Sequence, residues 1–459
     1  MKISTQITAA LVAMGIVSQA MATDPVVYLT GSSAFRSTVF ASLSDNTGTS
    51  NAVFQAGTLT YGTWGNSSAG SANYMVFHGT LTNGQPVYID CAWSGSEAGI
   101  ASACNATLKN TDRSGNHPNL AGSPETWVDY TTATLSSGGN VQSGSPGANG
   151  SLANGAQLEA GSHGADLAQA DTSQTVSWTP ATNNTPTDLK DYGSEGVVTF
   201  TMSRNVNPAP SQDWLDCSNI TLPQIITMTA NGYAPAWFIS GNPNDLMDVY
   251  LVGRNLGSGT RMNFLSDSGY GPHNNVIQNS IGYGVDSRDP AQSPTTLILQ
   301  NEGDNGYESG GGVAKALADT GGSSSQGSCQ QLDPVHNTGT NWFAIGYLSP
   351  SDALSTGNNG GQSPILYPNT NNWVTVDGVF SDNNNIENGQ WWFWGHEHLY
   401  GKYGITGSIA DQVGNALFNA VSSKIISSGF GVAPGGHDAA IPYSLMYVRK
   451  GTDLAFPSF

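Results

Sequence analysis

Apolar positions in this chain fall in short runs that break at Gly, Ser and Thr. Val26-Val27-Tyr28-Leu29-Thr30 is the first such run, and it predicts a strand. Gly31-Ser32-Ser33 closes it as a turn, and 34–43 reads as a helix. Two more strands are expected over 73–78 and 86–90; the second leads into Ser94-Gly95-Ser96 and a short helical stretch. Residues 165–172 read as a short strand ending at an acid, Asp171, and 197–202 as a strong strand. Thr221 is placed to cap a helix that holds Pro223 in its first turn. The runs 246–252, 342–347 and 372–380 read as strands, and 409–426 as the last long helix. Strands alternating with helices predict an α/β fold, with ligand groups at the C-terminal ends of strands.

Polar residues change this picture in two places. Over 132–164 and again over 318–331 the chain is rich in Gly, Ser, Asn and other small or polar residues. The first reads as a long surface excursion rather than a linker, because the strand pattern resumes after it. Charged residues make up only 10% of the chain, well under the usual ~25%. A surface built from Gly, Ser, Asn and Thr suits an extracellular setting.

The first 22 residues read as a secretory signal: Lys2, an apolar stretch over 7–17, and Ala20-Met21-Ala22 as the cleavage site. That stretch is too short to span a bilayer, and no later run reaches spanning length. Export without membrane insertion is the expectation, to a periplasm or beyond. Four cysteines, Cys91, Cys104, Cys217 and Cys329, then suggest two disulfides in one of three pairings. Cys91–Cys104 with Cys217–Cys329 is the favoured one, and the local loop would contribute about 3 kcal/mol.

Net charge is −19, and losing Lys2 makes it −20. That argues against nucleic acid and against anionic membrane surfaces. An anion ligand would have to be held by short-range donors, which screening within ~8 Å allows.

Such donors cluster in Gly253-Arg254-Asn255-Leu256-Gly257-Ser258-Gly259-Thr260. The segment follows a predicted strand, and 261–265 can start a helix. A glycine-rich turn at a helix N-terminus presents unpaired N–H groups and partial positive charge. Ser258 and Thr260 add hydroxyls, and Arg254 adds a planar fork of donors. The arrangement is suited to a tetrahedral oxyanion. The plainer alternative is a flexible turn with a surface arginine.

With these segments in order, the chain resembles periplasmic phosphate-binding proteins of ABC transporters, a type 2 periplasmic-binding-protein fold. The resemblance runs from about 26 to about 403. Arg254 followed by Ser258-Gly259-Thr260 carries most of it. Gly31-Ser32-Ser33-Ala34-Phe35, Ala344-Ile345-Gly346-Tyr347 and Ile386-Glu387-Asn388-Gly389-Gln390-Trp391 fit the same order, with Trp394, Glu397 and Tyr400 beyond. It implies two lobes around a ligand cleft: lobe one over 23–200, lobe two over 201–340, and a return over 341–459.

One dehydrated phosphate would be held there. Lobe one would offer Ser33, the N–H groups of Ala34 and Phe35, Ser96 and Asp171. Lobe two would offer Arg254, Ser258, the Gly259 N–H and Thr260. Inorganic phosphate and an ABC permease are the implied partners, with no cofactor and no catalysis. Three departures stand out: Ala34 replaces a frequent Thr, Leu256 replaces an acid that pairs with the arginine, and the excursion before Asp171 is long. An extracellular surface or matrix protein that keeps the fold without transport is one alternative. A phosphatase-like relative is another, though no nucleophile–base pair is visible.

His396 and His398 invite a metal, but their aromatic surroundings favour packing, and no metal is expected. The aromatic run 391–394 could offer a sugar platform; a buried core is the favoured reading.

Overall fold

The computed structural model describes residues 24–48, 52–105, 125–179, 188–205, 211–283, 297–307, 309–318, 343–354, 372–428 and 440–450. The signal expected over 1–22, Cys329 and 319–331 of the second polar excursion lie outside them.

The strand–helix alternation is present from the start. β1 (Val26–Gly31) runs into α1 (Arg36–Leu43); β2 (Thr60–Trp64), β3 (Tyr74–Thr80), β4 (Pro86–Ala92) and α2 (Ser96–Ala103) follow. Next come β5 (Glu125–Val128), β6 (Asn140–Gln142), β7 (Leu158–His163), β8 (Leu167–Ala170) and the long β9 (Lys190–Thr199). The middle of the chain holds β10 (Thr201–Arg204), α3 (Gln212–Asp216), β11 (Asn219–Ile220), α4 (Leu222–Asn231), β12 (Tyr233–Pro235), α5 (Ala236–Ser240), β13 (Asp248–Val252) and α6 (Gly259–Asp267). Beyond lie β14 (Gln278–Tyr283), β15 (Leu297–Gly303), α7 (Gly310–Ala318), β16 (Ala344–Leu348), α8 (Pro350–Leu354), β17 (Thr375–Val376), α9 (Asn383–Glu387), β18 (Trp394–Gly401), α10 (Ile409–Ser428) and β19 (Ala440–Ile441).

Two large sheets collect these strands. One has nine strands in the order β19-β9-β18-β8-β1-β4-β3-β2-β6. The other runs β10-β16-β13-β14-β15, with β12 paired to β13. Each has parallel strands at its heart: β1 runs parallel to β4 and β8, and β13 to β16 and β14. Parallel neighbours bring their C-terminal ends to one edge, so Gly31, Ala92 and Ala170 finish together. Helices cover both faces of the larger sheet. Alternation sends Val27, Leu29, Val87 and Ile89 into the same apolar cluster as Val39 and Leu43 of α1 and Val413 and Leu417 of α10. Ala168 and Ala170 face the other way and cluster with Ile100 and Ala103 of α2.

The same alternation corrects the cysteine expectation. Cys91 packs with the α1/α10 cluster, whereas Cys104 follows α2 on the opposite face of the sheet. No Cys91–Cys104 bond forms, because the sheet lies between the two sulfurs. Cys91, Cys104 and Cys217 are all buried thiols; Cys329, the expected partner of Cys217, lies outside the described residues. Burial raises the Cys91 thiol well above its ordinary value and pushes Cys104 and Cys217 up to about 12. Such thiols are poor nucleophiles.

Two predicted strands differ in a way the contacts explain. The run 197–202 divides at Phe200, β9 entering the larger sheet and β10 the smaller. The Phe200 carbonyl accepts the Trp391 indole N–H at 3.0 Å instead of continuing one ladder. The run 372–380 yields only two-residue β17, because Asp377 (φ 50°) and Gly378 (φ 81°) make a tight turn closed by reciprocal Val376–Val379 bonds. By contrast, Thr221 and Gln224 form a full capping box on α4, with Pro223 in its first turn. The 132–164 excursion supplies β6 as an edge strand and β7, which pairs with β5.

The aromatic run 391–394 is buried throughout and packs on Phe200, Phe264 and Tyr347. His398 stacks on Tyr400 at 5.5 Å, and His396 lies edge-on to Trp394. Among the described residues no cluster of metal-ligating side chains occurs, and no helix is long and apolar enough to cross a membrane.

Candidate functional site

The two sheets meet where β1, β4, β8 and β13 end. Four loops converge there, and each was expected to carry anion-binding groups.

The first is the entrance to α1. Gly31 (φ 122°) passes so close to Gln169 that a Cβ there would lie 1.9 Å from its carbonyl oxygen. That leaves glycine as the only residue compatible with the turn. Ser32 is buried, and its Oγ accepts the Phe35 N–H at 3.3 Å. Phe35 therefore spends its amide inside the turn. Ala34 and Phe35 are buried, and Ser33 is half-buried with its hydroxyl toward the other sheet.

The second is Ser94-Gly95-Ser96. Ser94 donates to Glu125 Oε1 at 2.5 Å, and burial pushes the Glu125 carboxyl up to about 7 against that bond. Ser96 Oγ accepts the Asp171 N–H at 3.2 Å. The N-terminal amides of α2 are already engaged: Glu97 and Ala98 both donate to the Gly257 carbonyl, at 3.0 and 3.2 Å. Gly257 belongs to the other sheet's cradle, so the smaller sheet caps a helix of the larger one. Gly95 (φ 109°) permits this approach, since a Cβ there would lie 2.4 Å from that carbonyl oxygen.

The third loop follows β8. Asp171 is almost fully buried. Its carbonyl accepts from Asn263 Nδ2 at 2.7 Å, and Oδ2 accepts from Thr260 Oγ1 at 3.4 Å. A Cβ on Gly259 would fall 1.5 Å from Asp171 Oδ1. Glycine at 259 is thus what lets the acid reach the N-terminus of α6.

The fourth loop joins β13 to α6. Ser258 is the N-cap, its Oγ accepting from Arg261 N at 3.3 Å. Arg254 is buried. Its amide donates to Tyr347 Oη at 3.1 Å, Nε to the Tyr307 carbonyl at 3.3 Å, and Nη2 to Ser33 Oγ at 3.4 Å across the sheets. Burial pulls its guanidinium below the ordinary value, while Asp352, Asp171 and Tyr347 oppose that shift.

These contacts bring Ser33, Ser96, Asp171, Arg254, Ser258, Gly259 and Thr260 to one junction. One buried cation, Arg254, and one buried acid, Asp171, thus stand at the junction with the Ser33 and Thr260 hydroxyls bonded to them.

Several residues of this junction were not read from the sequence. Asp352 of α8 lies in the field of Arg254; burial raises its carboxyl, and Ser349 Oγ donates to it at 2.8 Å. Arg36 opens α1 within reach of the same acid. Arg261 is buried in the first turn of α6 and anchors Asp304. Asp352 gave no local signal, because it depends on partners distant in sequence. Arg36 and Arg261 each carried one: a cation in the first turn of a helix opposes the dipole. A cavity of ≈ 300 Å³ lies elsewhere, against the C-terminal segment, lined by Trp394, His396, Tyr443, Met446 and Lys450 among others. None of the four loops contributes to it.

No protein-family model matches this chain, and no curated protein matches it. Solved structures do. One from Clostridium perfringens, described as a phosphate ABC transporter substrate-binding protein with bound phosphate, is 14% identical, with a TM-score of 0.38. The match covers 88% of this chain and 94% of that one. An ABC-type phosphate transport receptor from Vibrio cholerae is 12% identical over 87% of this chain and 96% of its own, with a TM-score of 0.36.

Proposed function

We propose that this protein captures an oxyanion, inorganic phosphate first, between its two sheets. It acts as an exported solute-binding protein, in the periplasm or outside the cell, and passes its cargo to an ABC permease. Lobe one is 23–200 with the return over 341–459, and lobe two is 201–340. Catalysis has no part in this reading.

One observation carries it. Arg254, buried and reaching across to Ser33, stands in the same junction as Asp171, which Thr260 and the bare Gly259 backbone approach. The arginine supplies charge-assisted donors to the anion. The acid accepts a proton that phosphate keeps near neutral pH and sulfate lacks. Charge repulsion at Asp171 then excludes sulfate from a dehydrated site. The direct Gly257 contact to α2 supports a closed arrangement, and ligand entry requires the sheets to part by a hinge motion.

Calorimetric titration of the full chain with phosphate and with sulfate tests this. Saturable one-to-one binding of phosphate with sulfate rejected supports the reading. Absence of phosphate binding would overturn it.

A further inference from the structure

Resting on the phosphate reading, we infer that Arg36 is a second anion-holding residue of the junction and gives it a preference for the doubly charged form of its ligand. Arg36 is the first residue of α1, with Phe35 as N-cap and no acid in the first turn. A cation is disfavoured at that end of a helix unless an anion sits there as well.

The placement is specific. Three residues earlier, Ser33 receives the buried guanidinium of Arg254 at 3.4 Å. On its other side, Arg36 Nη1 donates to Asn73 Oδ1 at 2.9 Å, and the Asn73 carbonyl accepts the amide of Trp93 at 3.1 Å. Trp93 directly precedes Ser94-Gly95-Ser96. Arg36 therefore stands between the α1 and α2 loops, at the end where both helices point their N-termini.

Among the described residues, Asp352 of α8 attracts it and Arg254 repels it. Asp352 faces Arg254 as well, and Arg254 also feels Asp171 and Tyr347. One acid shared by two arginines lets like charges from opposite sheets coexist. Asp352 Oδ2 is held in place by Ser349 and by Gly310, where a Cβ would come within 1.9 Å of it. A dianion gains twice the Coulomb attraction of a monoanion from each arginine.

The test is phosphate titration by calorimetry at about pH 6 and about pH 8, either side of the ionisation that makes phosphate a dianion. Wild type is expected to bind about fivefold tighter at the higher pH. Arg36→Gln should lose about tenfold there and only about twofold at the lower pH, flattening the profile. Arg36→Lys keeps the charge and should keep the profile. Asp352→Asn should move affinity the opposite way, tightening phosphate. Glu125, pushed up to about 7 by burial, titrates in the same range, but it is common to all these proteins and cancels in their ratios. An unchanged pH ratio in Arg36→Gln, with wild type still binding phosphate, overturns this inference and leaves the phosphate reading intact. Wild type failing to bind phosphate overturns both.

Discussion

Arg254 and Arg261 lie seven residues apart, and both are buried, yet their surroundings differ. Arg261 is met at close range: Nη2 reaches Asp304 Oδ1 at 2.5 Å, and Nη1 the Asp304 carbonyl at 2.6 Å. Asp304 Oδ1 in turn accepts the Val276 amide at 3.0 Å. Three segments of the smaller sheet are tied together there. Arg254 reaches a backbone carbonyl and then crosses the junction to a serine hydroxyl, in the field of two acids on separate elements. The difference teaches how to separate a buried cation that holds the fold from one that holds a ligand. The first has its carboxylate within its own sheet; the second is aimed at the seam.

The largest effect that could break this comparison is on stability. Arg261→Met strands Asp304 in the interior, so unfolding by urea should show a loss of about 3–5 kcal/mol. A loss under about 1 kcal/mol would mean that Asp304 finds solvent or another partner, and that Arg261 is not the structural member of the pair.

Binding should respond to the other arginine. Arg254→Ala is expected to weaken phosphate by at least ~2 kcal/mol, and Arg254→Lys to recover only part of that. If Arg254→Ala titrates with phosphate like wild type, the seam is not the binding site.

A finer cut comes at Gly259. Alanine there would drive its methyl into Asp171 Oδ1, at 1.5 Å. Backbone displacement should cost about 1–3 kcal/mol, read in phosphate affinity more than in urea stability if the contact belongs to the seam. An equal loss in both assays would place Gly259 with Arg261, on the structural side.

The smallest expected change is in selectivity. Asp171→Asn can donate as well as accept, so it should narrow the phosphate-to-sulfate preference by about tenfold, or ~1.4 kcal/mol. Calorimetry with both anions on both proteins measures it. Were the ratio to stay as in wild type, Asp171 would have no part in discrimination.

Much of the fold was legible in the sequence because its signals are local. The run 26–30 followed by Gly-Ser-Ser, the Thr221/Pro223 helix start and the glycine-rich turn before α6 each carry their own punctuation. So did Arg254 beside Ser258, Gly259 and Thr260, since a strand, a turn and a helix N-terminus can be read within a dozen residues. The division of 197–202 at Phe200 could not be read, because the bond that draws it aside comes from Trp391. The Asp377-Gly378 turn was legible by its residue types and still lay inside what looked like one strand.

Local order along the chain therefore determined the α/β alternation, the strand ends and the candidate cradle on each side of the seam. Tertiary structure decided which groups meet. It placed the sheet between Cys91 and Cys104, set Asp352 against Arg36 and Arg254, and brought the Gly257 carbonyl onto the amides of α2. Hydrogen bonding within a turn depends on a few neighbouring dihedrals, which residue type controls. Which charge lies across a cleft depends on how whole sheets pack, and no window of sequence contains that information.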